Sequence, residues 1–205
     1  MDFQTIISFL IASSLLTVMP GPDIIYVLLQ SISNGKKYGI ITALGLVSGI
    51  IIHTTLIALG VSEMVKQSEN IYLAIKIFGA FYLFYLAYKV YKAPASIEIP
   101  ENELVKENFT TLFKRGFFMN VLNPKVGLFF LAFFPGFINL HNGNTILQIY
   151  TLGFLFMLQA LVIFSFVSIL ADKMTSFLRE NKKFNHYLKY AQIVIFIGIG
   201  IFILL

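Results

Sequence analysis

Two ionisable side chains stand inside long apolar segments of the sequence, and each directly follows a proline. Asp23 follows Pro22, and Lys125 follows Pro124. An ionised group at the centre of an apolar layer costs at least about 2.5 kcal/mol, so it usually faces a cavity, an opposite charge or a ligand. Because a carboxylate pairs with ammonium groups and an ammonium group pairs with carboxylates, the two charges together predict a site for a zwitterion such as an amino acid.

Prolines also predict that the two segments carrying these charges are broken helices. Pro20, Gly21 and Pro22 interrupt the first segment, and Pro124 interrupts the second. Proline lacks a backbone N–H and clashes with the preceding turn, and the carbonyl groups freed in this way are costly in lipid unless they find a donor. Pro22 and Pro124 are 102 residues apart, as are the two charges. Such paired interruptions indicate a transporter binding site.

Each charge also has a structural explanation. Asp23 would stand at the start of a half-helix, where the helix dipole favours an acid and free amides can be capped. Lys125 would stand at the equivalent place in the second segment, where a cation opposes the dipole. Lys125 therefore either extends its ammonium group to the cytoplasmic surface, pairs with Asp23, or binds a substrate carboxylate.

Three neutral polar side chains are further candidates for substrate binding or coupling. Asn120 and Asn123 lie in the turn before the second break. His53 shares one predicted helix face with Gly45 and Gly49. Glycines at a spacing of four predict close helix packing, and a smooth passage for substrate along this face is the alternative. His53 is either a neutral hydrogen-bonding residue or a carrier of protons.

The composition indicates a protein that lies in lipid. Of the 205 residues, 58% are hydrophobic and only 12% are charged, whereas a soluble domain needs roughly 25% charged residues. The sequence has no cysteine, which excludes disulfides and thiolate metal sites. The net charge of +5 is typical of cytoplasmic loops, so we do not expect nucleic acid as a partner.

Six apolar segments are long enough to cross the hydrocarbon core as helices. They are Phe3–Leu29, Tyr38–Val61, Ile71–Tyr88, Gly116–Ile138, Ile146–Ala171 and Tyr187–Leu205. Eleven basic residues follow the odd-numbered segments, against one in the other loops, which places the odd-numbered loops in the cytoplasm and both termini outside. The predicted fold is an all-α integral membrane protein with six transmembrane helices, and a re-entrant first segment is the alternative.

A polar stretch over residues 93–114 predicts a cytoplasmic linker within one membrane domain. It separates a half of three segments, 1–92, from a second half of three, 115–205. Because each half has an odd number of segments, halves of the same fold must be inverted relative to each other, as in many secondary transporters. The broken helices are then the first and the fourth, each the first of its half. In the last segment, Gly198 and Gly200 indicate close packing or a homodimer contact.

The two broken segments resemble the signatures of the LysE/RhtB family of amino-acid exporters. The first signature is similar to Pro20-Gly21-Pro22-Asp23 with Val27, Ser31, Gly35, Gly39, Gly45 and Gly49 after it. The second is similar to Phe113–Phe137, with Asn123-Pro124-Lys125 at its centre. This chain departs from the family at Met19, where threonine is usual, and at Gly136, where glutamine is frequent. These departures bear on substrate preference.

The resemblance implies a multi-pass protein of the bacterial inner membrane that exports small amino acids or their derivatives from the cytoplasm, driven by the proton gradient. Its partners would be the amino-acid substrate, protons and membrane lipid. The sequence carries no nucleotide-binding loop, HExxH motif or paired-carboxylate site, so we expect neither a cofactor, nor a metal site, nor enzymatic activity.

Two other functions stay open. The chain could be a metal-cation exporter, since relatives in this superfamily move metal ions. Against this, Asp23 is the only clear carboxylate in an apolar segment, and hard cations need several oxygen ligands. A non-transport membrane scaffold is the other alternative, and it would tolerate the loss of both Asp23 and Lys125.

Overall fold

The computed structural model describes residues 1–67, 69–94, 104–139, 144–171, 173, 177 and 181–204. The residues in these ranges form α-helices and contain no β-strand. The helices are α1 (Phe3–Val18), α2 (Pro22–Asn34), α3 (Lys36–Gln67), α4 (Glu69–Lys92), α5 (Phe109–Val121), α6 (Pro124–Leu128), α7 (Thr145–Ile169) and α8 (Lys182–Leu204). A π-helical turn, Phe129–Phe133, and a 3₁₀ turn, Phe134–Phe137, continue α6. Residues 95–103 of the predicted linker lie outside the described residues.

Several helices have the length and composition of membrane spans. Within the described residues, Lys36–Gly60, Thr145–Ile169 and Lys183–Leu204 are long and apolar enough to cross a membrane. Two bent pairs, Phe3–Val18 with Pro22–Asn34 and Phe109–Val121 with Pro124–Phe137, have the composition of one span each. The remaining predicted span, Ile71–Tyr88, lies within the 24-residue helix α4. That the chain crosses the membrane six times stays a prediction.

The predicted helix breaks are confirmed, and they have the same local construction. Helix α1 ends at Val18, and Pro22 is the first residue of α2 after Gly21. Helix α5 ends at Val121, and Pro124 is the first residue of α6. The bends are 59° and 45°. Proline is favoured at the first position of a helix, where its missing N–H would have no partner inside the helix, so each proline ends one helix and starts the next.

Helix α3 lies between α5 and α7, and glycine lets α5 approach it closely. Gly49 faces the side chain of Asn120, and a Cβ atom on Gly49 would lie 2.8 Å from Asn120 Oδ1. Gly116 of α5 faces α3 in return, where a Cβ atom would lie 2.5 Å from the carbonyl oxygen of Thr42. The predicted packing role of the glycine face is thereby confirmed. This contact between α3 and α5, here called the α3–α5 seam, sets the position of Asn120 and of the second break relative to His53.

Hydrogen bonds bring the three basic-rich loops to one end of the helices. Asn34 donates to the carbonyl oxygen of Leu104 at 3.3 Å, and Ser168 donates to that of Lys36 at 2.8 Å. Lys189 donates to the carbonyl oxygen of Ala93 at 2.6 Å. The ends of α2, α4 and α7 and the start of α8 therefore meet there. That this end faces the cytoplasm stays a prediction.

Buried phenylalanines hold the second broken helix against the first. Phe9 of α1 packs against Phe134 and Phe137, with ring centroids 5.3 Å apart in both pairs and edge-to-face geometry. Phe156 of α7 packs against Phe129 and Phe130 at 5.5 Å. Such pairs contribute about 0.5–1.5 kcal/mol each beyond the area they bury. The aromatic cluster therefore fixes the continuation of α6, and with it the position of the second break.

Candidate functional site

Three of the predicted site residues meet where the two broken helices approach each other. Asn123 Nδ2 donates a hydrogen bond of 2.5 Å to Asp23 Oδ1. Lys125 Nζ lies 3.8 Å from the other carboxylate oxygen, Oδ2. The side chains of Lys125 and Asp23 are only 10% and 8% exposed. The predicted pairing of the two charges is confirmed, and Asn123 joins them.

Asn123 also caps the second half-helix. Its Oδ1 accepts the backbone N–H of Lys125 at 3.0 Å, so a single amide side chain caps α6 with its oxygen and binds Asp23 with its nitrogen. The equivalent residue of the first half-helix is Gly21, which has no side chain to cap α2. Asp23 lies in the first turn of α2, where the dipole favours it, but its carboxylate is bound by Asn123 and not by the free amides of its own helix.

Lys125 binds a backbone carbonyl that the first break sets free. Its Nζ donates to the carbonyl oxygen of Leu16 at 3.2 Å, and Leu16 belongs to the last turn of α1. The negative end of the α1 dipole therefore offsets the unfavourable positive end of the α6 dipole. Gly21 permits this path, because a Cβ atom there would lie 3.2 Å from Nζ. The side chain of Lys125 therefore extends from the second break to the first.

Two glutamines complete the polar contacts of the first broken helix. Gln192 of α8 donates to the carbonyl oxygen of Pro20 at 3.1 Å. Gln159 of α7 donates to Thr17 Oγ1 at 3.0 Å and accepts from Ser14 Oγ at 3.2 Å. Both act as bonds between helices, which is the usual role of amides in apolar segments. They hold α1 and the break in place from two sides.

His53 and Asn120 meet on the far side of the second break. His53 Nε2 lies 3.2 Å from the carbonyl oxygen of Asn120, which also accepts the backbone N–H of Asn123 at 3.0 Å. The imidazole stacks on Phe130 with a centroid distance of 5.5 Å. Asn120 Oδ1 is buried and has no hydrogen-bond donor among the residues the structure describes. Among the described residues, neither the side chain of His53 nor that of Asn120 forms a hydrogen bond with Asp23 or Lys125.

An apolar cavity of about 340 Å³ adjoins the first break. It lies between α2, α7 and α8 and is lined by Val18, Pro20, Ile24, Ile25, Leu28, Ile163, Phe166, Val167, Phe184 and Leu188. No polar side chain lines it, so it suits an apolar group and not a charged one. Among the described residues, no three or more His, Asp or Glu side chains form a group that could hold a metal ion.

A second polar cluster, one turn along α2 from Asp23, was not predicted from the sequence. Tyr26 Oη accepts hydrogen bonds of 2.9 Å from both Arg115 Nη1 and Gln30 Nε2. Arg115 forms an ion pair of 2.7 Å with Glu107. The signal was the spacing of Asp23, Tyr26 and Gln30, which repeats at three and four residues and forms one polar stripe on α2. This cluster ties α2 to the middle of α5.

The sequence model of the LysE type translocator family matches residues 14–205. An uncharacterized membrane protein of Bacillus subtilis is 28% identical over 97% of each chain. The homoserine/homoserine lactone efflux protein of Salmonella typhimurium is 27% identical, over 89% of this chain and 88% of the relative. A leucine efflux protein of Salmonella choleraesuis is also 27% identical, over 86% and 83%. No solved structure matches the chain significantly.

Proposed function

Because this chain belongs to the LysE type translocator family and is a multi-pass membrane protein, we propose that it is a secondary transporter that exports small amino acids or their derivatives from the cytoplasm, coupled to protons. The observation that carries the proposal is the buried cluster of Asp23, Asn123 and Lys125 at the junction of the two breaks. Half-helix ends at such a junction are the usual place for substrate in secondary transporters.

A zwitterion can replace each partner of this ion pair by a group of the same charge. The substrate ammonium group takes the place of Lys125 beside Asp23, and the substrate carboxylate binds Lys125 and the amides at the start of α6. The separation of 3.8 Å between Lys125 Nζ and Asp23 Oδ2 exceeds the range of a direct hydrogen bond. The pair is therefore held by charge and by other partners, and opening it breaks no hydrogen bond between the two residues.

The substrates in the names of the relatives are compatible with a binding site built around the carboxylate of Asp23. Leucine and homoserine each carry an ammonium group and a carboxylate, and homoserine lactone keeps only the amine. The amine is the group common to all three, so Asp23 is the residue that we expect every substrate to contact. The apolar cavity that begins at Pro20 would accept an aliphatic side chain.

The proposed transport cycle moves two inverted halves around this cluster. Support comes from the pairing of equivalent helices, since α3 packs against α7 and α4 packs against α8. Each is the second or third helix of its half. Alternating access in inverted repeats is largely a rocking of one part against the other around a fixed site.

Transport into vesicles tests this function. Purified protein in proteoliposomes is assayed for uptake of labelled leucine, homoserine and homoserine lactone, with cadmium as the probe for the cation alternative. Asp23→Asn and Lys125→Met should each reduce amino-acid uptake strongly. Asp2→Asn is the matched control, because Asp2 caps α1 at the protein surface and asparagine caps equally well.

Each alternative has its own outcome in this assay. Cadmium uptake without amino-acid uptake would favour the metal-cation exporter, although the ammonium group of Lys125 beside Asp23 repels cations. Unchanged amino-acid uptake in both variants would refute the proposed site. Absence of any transport by the folded wild-type protein would favour a membrane scaffold.

A further inference from the structure

A continuous chain of contacts joins His53 to the Asp23–Lys125 pair. His53 Nε2 meets the carbonyl oxygen of Asn120 at 3.2 Å, and the backbone N–H of Asn123 donates to that same oxygen at 3.0 Å. The side chain of Asn123 then donates to Asp23. The path runs through the turn of the second break, so a change at either end acts on the same few backbone atoms.

The contacts of the His53 ring determine which of its nitrogen atoms carries a proton and which can accept one. A carbonyl oxygen only accepts, so Nε2 must carry the proton that is shared with Asn120. Nδ1 has no hydrogen-bond partner among the described residues, and it faces Gly127, where a Cβ atom would lie 4.0 Å away. A further proton therefore adds at Nδ1 without breaking the bond to Asn120.

Of the ionisable side chains joined by this path, His53 is the one whose ordinary pKa lies nearest to neutral pH. Charged or titratable groups with described side chains on the helices packed against α3 are Asp23 and Tyr26 on α2, Lys76, Tyr82, Tyr85, Tyr88, Lys89, Tyr91 and Lys92 on α4, Lys114 and Arg115 on α5, Lys125 on α6 and Tyr150 on α7. In the described structure none of them forms a hydrogen bond or an ion pair with His53. Among the described residues, no carboxylate would therefore form an ion pair with the protonated ring in this geometry.

We propose that His53 holds the coupling proton, at a site separate from the substrate site and connected to it through the turn at Asn120–Asn123. This inference rests on the proposed export function. The neutral ring gives Asn120 a neutral hydrogen bond, whereas the protonated ring gives a charge-assisted one, which is roughly twice as strong. Protonation therefore strengthens the hydrogen bond that ties His53 to the second break, and release of the proton weakens it.

The decisive variant is His53→Gln, which keeps an N–H donor for Asn120 but cannot carry the proton. Two assays in proteoliposomes separate coupling from transport, both with labelled leucine as the probe. Exchange of labelled for unlabelled leucine without a pH gradient needs no net proton movement. Net uptake into vesicles with an acidic interior is driven by protons that leave in exchange for leucine, so it needs net proton movement. For one proton exchanged per leucine, a gradient of about one pH unit supports about tenfold accumulation, so it should stimulate leucine accumulation by the wild type up to about tenfold.

His53→Gln should keep leucine exchange and lose this stimulation. His186→Gln is the matched control, since His186 contacts Tyr190 on α8 and lies outside the path; it should keep both activities. Full stimulation in His53→Gln would overturn the proposal. Loss of exchange together with stimulation in a folded variant would also overturn it, because His53 would then belong to the substrate site.

A second measurement leaves His53 in place and does not depend on transport. In the variant His141→Gln/His186→Gln, His53 is the only histidine, so its ¹⁵N imidazole signals can be followed by NMR during a pH titration. We expect the ring to gain a proton as the pH is lowered through the range in which the protein stays folded. A ring that stays neutral through this range would overturn the proposal, whereas failure of wild-type leucine, homoserine and lactone transport alone would overturn the export function.

Discussion

Removing the side chain of Asn123 tests the construction of the junction more directly than removing either charge. Asn123 makes two separable contacts, a cap on the N–H of Lys125 and a hydrogen bond to Asp23. Loss of a helix cap costs about 1 kcal/mol, and loss of a hydrogen bond to a charged group costs about 2 kcal/mol. We therefore expect Asn123→Ala to lower the free energy of unfolding by about 3 kcal/mol.

Asn123→Ser divides this loss into its two parts. Serine caps a helix about as well as asparagine, but its hydroxyl is too short to reach Asp23. The serine variant should therefore lose only about 2 kcal/mol. Asn108→Ala is the matched control for the cap, because Asn108 caps α5 through Thr111 at an exposed position and should cost about 1 kcal/mol.

Equilibrium unfolding in mixed detergent micelles, followed by far-UV circular dichroism, measures these differences. The alanine substitution should also cost less in an Asp23→Asn background, because residues in contact are not additive. Alanine and serine variants that both unfold within about 0.5 kcal/mol of the wild type would refute the reasoning. The junction would then not depend on Asn123.

Three further substitutions test the surrounding structure, each by the same unfolding measurement. Gly49→Ala should clearly destabilise the protein, because its Cβ would lie 2.8 Å from the side chain of Asn120. Gly198→Ala is the control and should have little effect, because its Cβ would have no atom within 4 Å. Equal effects of the two substitutions would contradict the α3–α5 seam. Gly35→Ala should cost on the order of 1–3 kcal/mol, because Gly35 links α2 to α3 with φ 94° and ψ 160°, a conformation that essentially only glycine adopts. No loss of stability would contradict this backbone geometry. Gln159→Leu should lower the free energy of unfolding by about 1 kcal/mol, because it removes two hydrogen bonds and such bonds between membrane helices average about 0.6 kcal/mol each. A variant more stable than the wild type would show that apolar packing contributes more at this position.

Local features of the sequence were sufficient to predict the two breaks. Proline acts on the turn in which it stands, so the positions of Pro22 and Pro124 determined where α2 and α6 begin. The pairing of Asp23 with Lys125 was also predictable as one of several outcomes, because opposite charges in an apolar layer need partners. The sequence left open whether the pair forms, since that depends on how the two halves approach each other.

Contacts to the backbone could not be predicted. Lys125 binds the carbonyl oxygen of Leu16, but the other residues in the last turn of α1 also have carbonyls without a partner inside the helix, so the sequence does not distinguish among them. Helix ends outside the apolar segments were missed for a different reason. Helix α5 begins at Phe109, before the predicted start at Gly116, because Asn108 caps it and its first turns are polar. A search for apolar stretches does not detect such turns.

The junction of the two breaks has a consequence for biosynthesis. Asp23 and Lys125 are 102 residues apart, and a ribosome adds about 5–20 residues per second. The partner of Asp23 therefore leaves the ribosome about 5 to 20 seconds later. During this interval Asp23 has neither Lys125 nor Asn123, and an unpaired carboxylate at the centre of the hydrocarbon core costs at least about 2.5 kcal/mol. The first broken helix therefore keeps Asp23 near the membrane surface or in its protonated form until the second half supplies its partners.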